Sequence, residues 1–491
     1  MDKRDEGQGI PIAINNSIQH AQGITSTMTA GSKGLVILYI DLLWTLVTAS
    51  AHIITAVIGS GVLSLSWAIA QLGWAVGVAV LMAFSIISYF TATLLADCYR
   101  SPDPITGKRN YTYMDAIRAN LGKPTSPTQK VQLCGLAQYG NLIGITIGYT
   151  ITTSISMVAE LRSKCFHKNG HHVKCHISNN PFMLIFACIQ IILSQIPNFH
   201  KLSWLSYIAA VMSFAYSSIG VALSIAKVAG GAHVRMTLIG LTVGVEVSEA
   251  QKVWRTFQAI GNIAFAFGFT VVLVEIQAGY SEVEPTGEQG HEEGIADRDY
   301  DRNHLLLIVW VLRLRCLREH CTREHHHGFG FFEPFWLIDL ANMCLVVHLV
   351  GAYRVFCQPI FGFVENWCSD RWPESDFINR EIDVEIPGYG KYNFNLFRLA
   401  WRTVYVIITS LVALIFPFFN DFPGLIGSLA FWPLAVYFPV EMHIARKKMK
   451  KYSFMWVCLK ALSWICLIVS AVAAVGSVQG LFEDLMKYKP F

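Results

Sequence analysis

Stretches of about 20 residues with almost no charge recur along most of this chain, and each is long enough to cross a hydrocarbon core roughly 30 Å thick. Apolar runs over residues 42–70, 72–96, 134–158, 182–198, 203–226, 257–276, 334–356, 400–418, 422–440 and 454–477 predict ten spans. They lack the polar alternation of a membrane barrel, and a helix satisfies its own backbone hydrogen bonds in lipid, so the expected fold class is an all-α polytopic membrane protein. Composition enters here as an exclusion. Of 491 residues 53% are hydrophobic and 15% charged, against about 45–50% and about 25% in a soluble domain, which excludes a soluble enzyme. A net charge of +4 with no long basic block gives no footprint for nucleic acid and leaves membrane lipid as the surrounding partner. The first 34 residues hold no apolar core before a small-residue cleavage site, so the first span is expected to target the chain.

Two spans are interrupted in a way that a merely structural helix avoids. The first contains Ile58-Gly59-Ser60-Gly61-Val62, and the sixth contains Gly261-Asn262-Ile263-Ala264-Phe265-Ala266-Phe267-Gly268. Glycine weakens a helix by about 1 kcal/mol relative to alanine, so both segments unwind easily. Unwinding frees backbone N–H and C=O groups at mid-membrane depth, where they are tolerated only beside a cavity or a ligand. Small residues also let helices pack closely, and for either segment alone that reading stands level with a site. Breaks in both the first and the sixth span favour the site, because paired discontinuous helices mark the substrate pocket of many secondary transporters.

These residues carry a family resemblance. The run from Thr48 through His52, Ile58-Gly59-Ser60-Gly61-Val62 and Leu65 to Gln71 and Gly73-Trp74 closely resembles the first span of the plant amino acid permeases, in the amino acid/auxin permease branch of the amino acid–polyamine–organocation superfamily. Gly140-Asn141, Gly148-Tyr149-Thr150, Gln195-Ile196-Pro197-Asn198, Gln258 to Phe265, Phe335-Trp336, Val347-His348, Phe416 to Asp421 and Phe431-Trp432-Pro433 match as well. The resemblance implies a LeuT-like inverted-repeat transporter of eleven helices, importing amino acids with protons across the plasma membrane, with the proton as coupling ion and no cofactor. Auxin or another narrow cargo on the same fold is the alternative. No HExxH or GxSxG motif points to an integral-membrane enzyme. Oligomeric state is not legible.

A zwitterionic amino acid needs donors for its carboxylate and acceptors for its ammonium. The expected substrate-binding residues are therefore Ile58, Gly59, Ser60, Gly61 and Val62 in the first break, with Gly261, Asn262, Ile263, Ala264 and Phe265 in the second. Asn262 is read equally as a ligand or as a cap on the second half-helix. His52 lies almost two turns before Gly59 and on the same side, and His348 sits alone in another apolar span; both are proton-coupling candidates, with a satisfied structural histidine as the alternative. Glu275 and Asp339, near span ends, read as interfacial anchors. With the amino terminus inside, the hydrophilic loop after the third span faces an oxidising compartment, which favours a disulfide between Cys165 and Cys175 over a zinc site built from its four histidines; no metal is expected.

The resulting organisation is a tail over 1–40, helices one to six over 41–277, an anomalous polar segment over 278–328, helices eight to eleven over 329–482 and a tail over 483–491. The polar segment is the largest departure from the family. Residues 279–327 hold ten Asp/Glu, six Arg, no Lys and six of the chain's 16 histidines, and the one apolar run, 305–312, is too short to span. Eleven crossings, not ten, return the cluster Arg446-Lys447-Lys448-Met449-Lys450-Lys451 to the cytosol as the positive-inside rule requires. Codons chosen for residues 279–293 and 306–320, read one base later, give a basic loop and then an apolar stretch like the missing seventh span. The expectation is a frame-shifted translation of this segment, and an inactive product of a faulty gene model is the alternative to a working transporter.

Overall fold

The computed structural model describes residues 55–56, 59, 61–102, 107–122, 127–170, 175, 177–196, 203–229, 238, 240–244, 247–280, 334–386, 390–416 and 421–487. The helices are α1 (Gly61–Leu72), α2 (Trp74–Asp97), α3 (Tyr113–Leu121), α4 (Pro127–Asn169), α5 (Asn180–Ser194), α6 (Ser203–Ala229) and α7 (Glu249–Ala266). A 3-10 segment (Gly268–Val272) leads into α8 (Leu273–Tyr280). Then come α9 (Phe335–Arg371), α10 (Asp376–Asn379), α11 (Leu396–Ile415), α12 (Asp421–Ala430), a π-helical segment (Phe431–Tyr437), α13 (Phe438–Arg446) and α14 (Phe454–Lys487). Two small antiparallel hairpins, β1 (Arg100–Ser101) with β2 (Lys108–Arg109) and β3 (Ile382–Ile386) with β4 (Gly390–Phe394), complete the described elements. Eight helical stretches among the described residues are long and apolar enough to cross a membrane.

Burial sorts these stretches into inner and outer helices. In their most apolar windows, 78% of Gln129–Asn169 and of Glu249–Ile276 is buried, against 33% of Leu396–Ile415 and of Phe454–Met486. The latter two therefore form part of the lipid-facing wall. Helix starts are fixed by local chemistry. Ser248 and Gln251 form a reciprocal capping box at α7, Thr112 accepts from the Asp115 N–H at α3, and Asn395 accepts from the Arg398 N–H at α11. With 43 residues, α4 is roughly 65 Å long and overshoots the hydrocarbon core expected from residues 134–158.

Contacts near the helix ends define two poles. At one, the Arg446 guanidinium donates to the Asp97 carbonyl and, at 3.3 Å, to that of Pro102; α3 lies here, and so does the basic cluster that follows Arg446. At the other, the end of α4 carries the Cys165–Cys175 disulfide, and its His167 ring sits 4.7 Å from that of Phe335, which opens α9. Glu275 of α8 accepts from Tyr113 of α3, so α8 ends at the first pole and α9 begins at the second. Residues 281–333, which join them and hold nearly all of the anomalous segment, fall outside the described residues, as does the first part of the first span.

A buried arginine pins three helices together. The Arg402 guanidinium on α11 donates to Glu365 of α9 through Nε at 2.7 Å and Nη2 at 3.1 Å, and to the Ser194 carbonyl of α5 through Nη1 at 2.7 Å. Its plane lies 5.1 Å from the Phe361 ring centre, and its side chain is 2% exposed.

Candidate functional site

The first interruption is a bend. Thr55 and Ala56 are helical, Gly59 bends, and α1 starts afresh at Gly61. Ile58, Ser60 and His52 lie outside the described residues, and Val62 is described only as backbone in the first turn of α1. That turn presents N–H groups without intrahelical partners, at the positive end of the helix dipole.

Three side chains from three helices converge on this bend. Tyr216 of α6 donates its hydroxyl to the Gly59 carbonyl at 3.4 Å. A Cβ added at Gly59 would stand 3.0 Å from Tyr149 Oη of α4 and 3.8 Å from His348 Nε2 of α9, so glycine is what lets the bend come this close. His348 is fully buried, with Nδ1 3.0 Å from the Ala209 carbonyl and 2.7 Å from Ser213 Oγ. A carbonyl only accepts, which assigns the hydrogen to Nδ1 and leaves Nε2 of the neutral ring as an acceptor. That Nε2 is buried and unpartnered among the described residues.

The second interruption falls later than the sequence predicts. Helix α7 stays regular through Ala266, and the chain unwinds at Phe267 and tightens into the 3-10 segment from Gly268. The expected break at Gly261–Phe265 is thus corrected, and the reason is packing. A Cβ on Gly261 would lie 2.5 Å from the Gly424 carbonyl, and one on Gly427 would run into the Phe265 backbone. Here glycine serves close helix contact, the other reading weighed above. Gly268, by contrast, has nothing within 4 Å of an added Cβ. Asn262 does not cap the second half-helix. It is fully buried with both amide atoms unpartnered among the described residues, its Oδ1 close to Gly424. Ile263 packs in the apolar cluster with Leu65 and Phe431.

The two broken ends meet. A Cβ on Gly61 would lie 2.9 Å from Ala266 Cα, so the N-terminus of α1, whose first-turn N–H groups have no intrahelical partner, abuts the C-terminus of α7, whose Ala264 and Phe265 carbonyls accept from the Phe267 N–H and keep a second lone pair each. A cleft alongside is lined by Asn141 and Ile145 of α4, Ala264 and Phe265 of α7, Gly268 and Phe431. Asn141, Ile145 and Tyr149 recur every fourth residue, so one face of α4 runs from the cleft to the bend. Asn141, Tyr149 and Tyr216 escaped the sequence reading; the signal for the first two was their place in the Gly140-Asn141 and Gly148-Tyr149 matches.

A polar plate closes the cleft toward the Arg446 pole. Gln138 Nε2 of α4 donates to the Val271 carbonyl at 2.9 Å and to Glu275 Oε1 at 2.7 Å. The Tyr113 backbone N–H donates to the same Oε1 at 3.1 Å, and the Tyr113 hydroxyl donates to the Leu434 carbonyl in the π segment at 2.6 Å. Glu275 is therefore no interfacial anchor, because α3 folds over it.

The match to the family model for "Transmembrane amino acid transporter protein" covers residues 44–282 and 326–483 and skips 283–325. Amino acid permease 6 of Arabidopsis thaliana is 62% identical over 448 residues, covering 91% of this chain and 92% of that protein. The chain belongs to the plant amino acid permease family. Amino acid permease 1 of the same plant, at 56% identity over 447 residues and 91% of each chain, is a second member similar to it. Among solved structures, the Eremococcus coleocola manganese transporter aligns over 91% of this chain and 89% of that one, with a TM-score of 0.53 at 13% identity. That likeness shows the fold alone, the LeuT-like inverted-repeat arrangement that the resemblance implies. The gap in the family match falls within the segment that the sequence marks as anomalous.

Proposed function

We propose that this family member imports amino acids across the plasma membrane by proton-coupled symport. The observation that carries the reading is the contact between the two broken helices. One end offers donors with a positive dipole and the other offers carbonyls with a negative one, a match for a zwitterion whose two charges lie two bonds apart. The substrate carboxylate sits on the N–H groups of Gly61 and Val62, and its ammonium on carbonyls at the end of α7. Its side chain extends into the cleft beside Asn141 and Phe265. His348, whose Nε2 is unpartnered among the described residues beside the bend, is the candidate to take a proton next to the bound substrate, and His52 is the other candidate for that role. The names of the relatives, amino acid permeases, support the cargo. Uptake of labelled amino acids in transport-deficient yeast tests the reading. Accumulation is expected to rise in acidic medium and to collapse with a protonophore, and accumulation that survives the protonophore would sink the coupling.

We further propose that residues 279–327 as given are not the biological sequence of this region. Two observations support this. The family match skips 283–325, and α8 and α9 stand at opposite poles, so their connection needs a crossing that the 305–312 run is too short to make as a helix. Sequencing the transcript across this region is expected to restore an apolar seventh span. A cDNA in frame as given would refute the idea and leave a chain that does not transport.

A further inference from the structure

One carboxyl with an inaccessible oxygen has no part in the substrate contacts above. Glu275 stands on α8, the half-helix that follows the break at Gly268, and its two oxygens are treated unequally. Oε1 accepts from Gln138 and from the Tyr113 N–H, whereas Oε2 is inaccessible and unpartnered among the described residues. Gln138 shows the mirror image: its Nε2 donates twice, while its Oε1 is equally inaccessible and unpartnered. Two acceptors thus face the same shortage on two side chains already joined at 2.7 Å. Their planar end groups turn about soft terminal torsions. One hydrogen placed on Oε2 and donated to Gln138 Oε1 satisfies both atoms and closes a two-point acid–amide pair.

Among the described residues no second side chain donates to the Glu275 carboxyl and no cation pairs with it. The groups that act on the carboxyl are Tyr113 and Asp115 from α3 and Cys134 and Tyr139 from α4; α2, packed on the same helix, carries Tyr89 and Asp97. An ionised carboxylate with a buried, unpaired oxygen is costly. The site is also wired to the cleft on two sides. Gln138 holds the Val271 carbonyl and Tyr113 holds that of Leu434, and both of those residues line the cleft.

We propose that Glu275 is a proton-binding residue of the transport cycle, taking a proton on Oε2, passing from carboxylate to neutral acid, and so locking α8 to α4 beneath the substrate; this rests on the proton-coupled reading above. The reverse step, loss of that proton, restores two unpaired acceptors and loosens the plate so that α8 swings away from α4. The test uses the full chain in lipid vesicles, comparing the wild type with Glu275→Gln. Infrared spectra of the wild type are expected to show a carboxylic-acid C=O band that fades on alkaline titration and is missing from E275Q. In substrate counterflow, which needs no net proton movement, E275Q is expected to stay within about twofold of wild type. In accumulation driven by a one-unit pH gradient it loses the roughly tenfold gain that one proton per substrate supplies, and its pH profile goes flat. A titrating band unchanged in E275Q, or accumulation with the wild-type pH profile, overturns the proposal. Loss of counterflow together with accumulation also overturns it and makes Glu275 structural. A wild type whose accumulation ignores a protonophore fails the symport reading instead, and the infrared comparison then decides Glu275 by itself.

Discussion

Gly59→Leu is expected to cut amino acid uptake on the order of a hundredfold, about 2.8 kcal/mol, while the amount of protein in the membrane stays unchanged. An added Cβ already lies 3.0 Å from Tyr149 Oη, and a full leucine side chain fills the space between the bend, Tyr149 and His348. The graded variants sharpen the test. In Gly59→Ala the obstacle is the far end of a flexible tyrosine, so the loss should be severalfold only, and Tyr149→Phe should recover part of it, a coupling that a double-mutant cycle reads directly. At Gly61 the obstacle is the Cα of Ala266, main chain that cannot step aside, so Gly61→Leu should match Gly59→Leu in severity and gain nothing from Tyr149→Phe. Uptake assays with surface labelling check each variant. Normal transport by Gly59→Leu or Gly61→Leu would remove the first break from the site.

Arg402→Met is expected to lower stability by about 3–5 kcal/mol, the usual cost of breaking a buried ion pair by removing one partner. Glu365 would keep only its 3.3 Å contact with Arg398, and the Ser194 carbonyl would lose its donor. Thermal unfolding in detergent reads the effect as a marked drop in Tm. Arg402→Met with Glu365→Leu should regain much of it, because an apolar pair of similar volume leaves no buried charge alone. An unchanged Tm for the single variant would show that the cluster does not hold α5, α9 and α11 together.

Fold class was plain in the sequence because hydropathy over about 20 residues is set by the bilayer and needs no knowledge of neighbours. The first break was legible for a similar reason. Two glycines around Ser60 weaken a helix wherever it packs. The second break was displaced because one residue type signals two physical situations. Gly261 and Gly268 look alike in a string of letters, yet the first lies against the Gly424 carbonyl and the second faces open space. Tyr149 and Tyr216 were missed because an aromatic at helical spacing reads as core until a bend on another helix is seen beside it. Glu275 was misread from its distance along the span, since nothing in its own segment tells that α3, more than 150 residues earlier, covers it. The π segment at Phe431–Tyr437 left no trace in periodicity that would set it apart from ordinary helix.

The glycine seam between α7 and α12 has a mechanical meaning. Along it, Gly261 meets the Gly424 carbonyl and Gly427 meets the Phe265 backbone, main chain against main chain. Ordinary helix interfaces are cushioned by side chains that change rotamer and absorb a small displacement before the partner feels it. At these two glycine contacts there is no such cushion. A shift of α12 is handed to α7 at full amplitude, as between two gears cut without backlash, and the first place where the chain has slack to give is the unwound turn at Phe267.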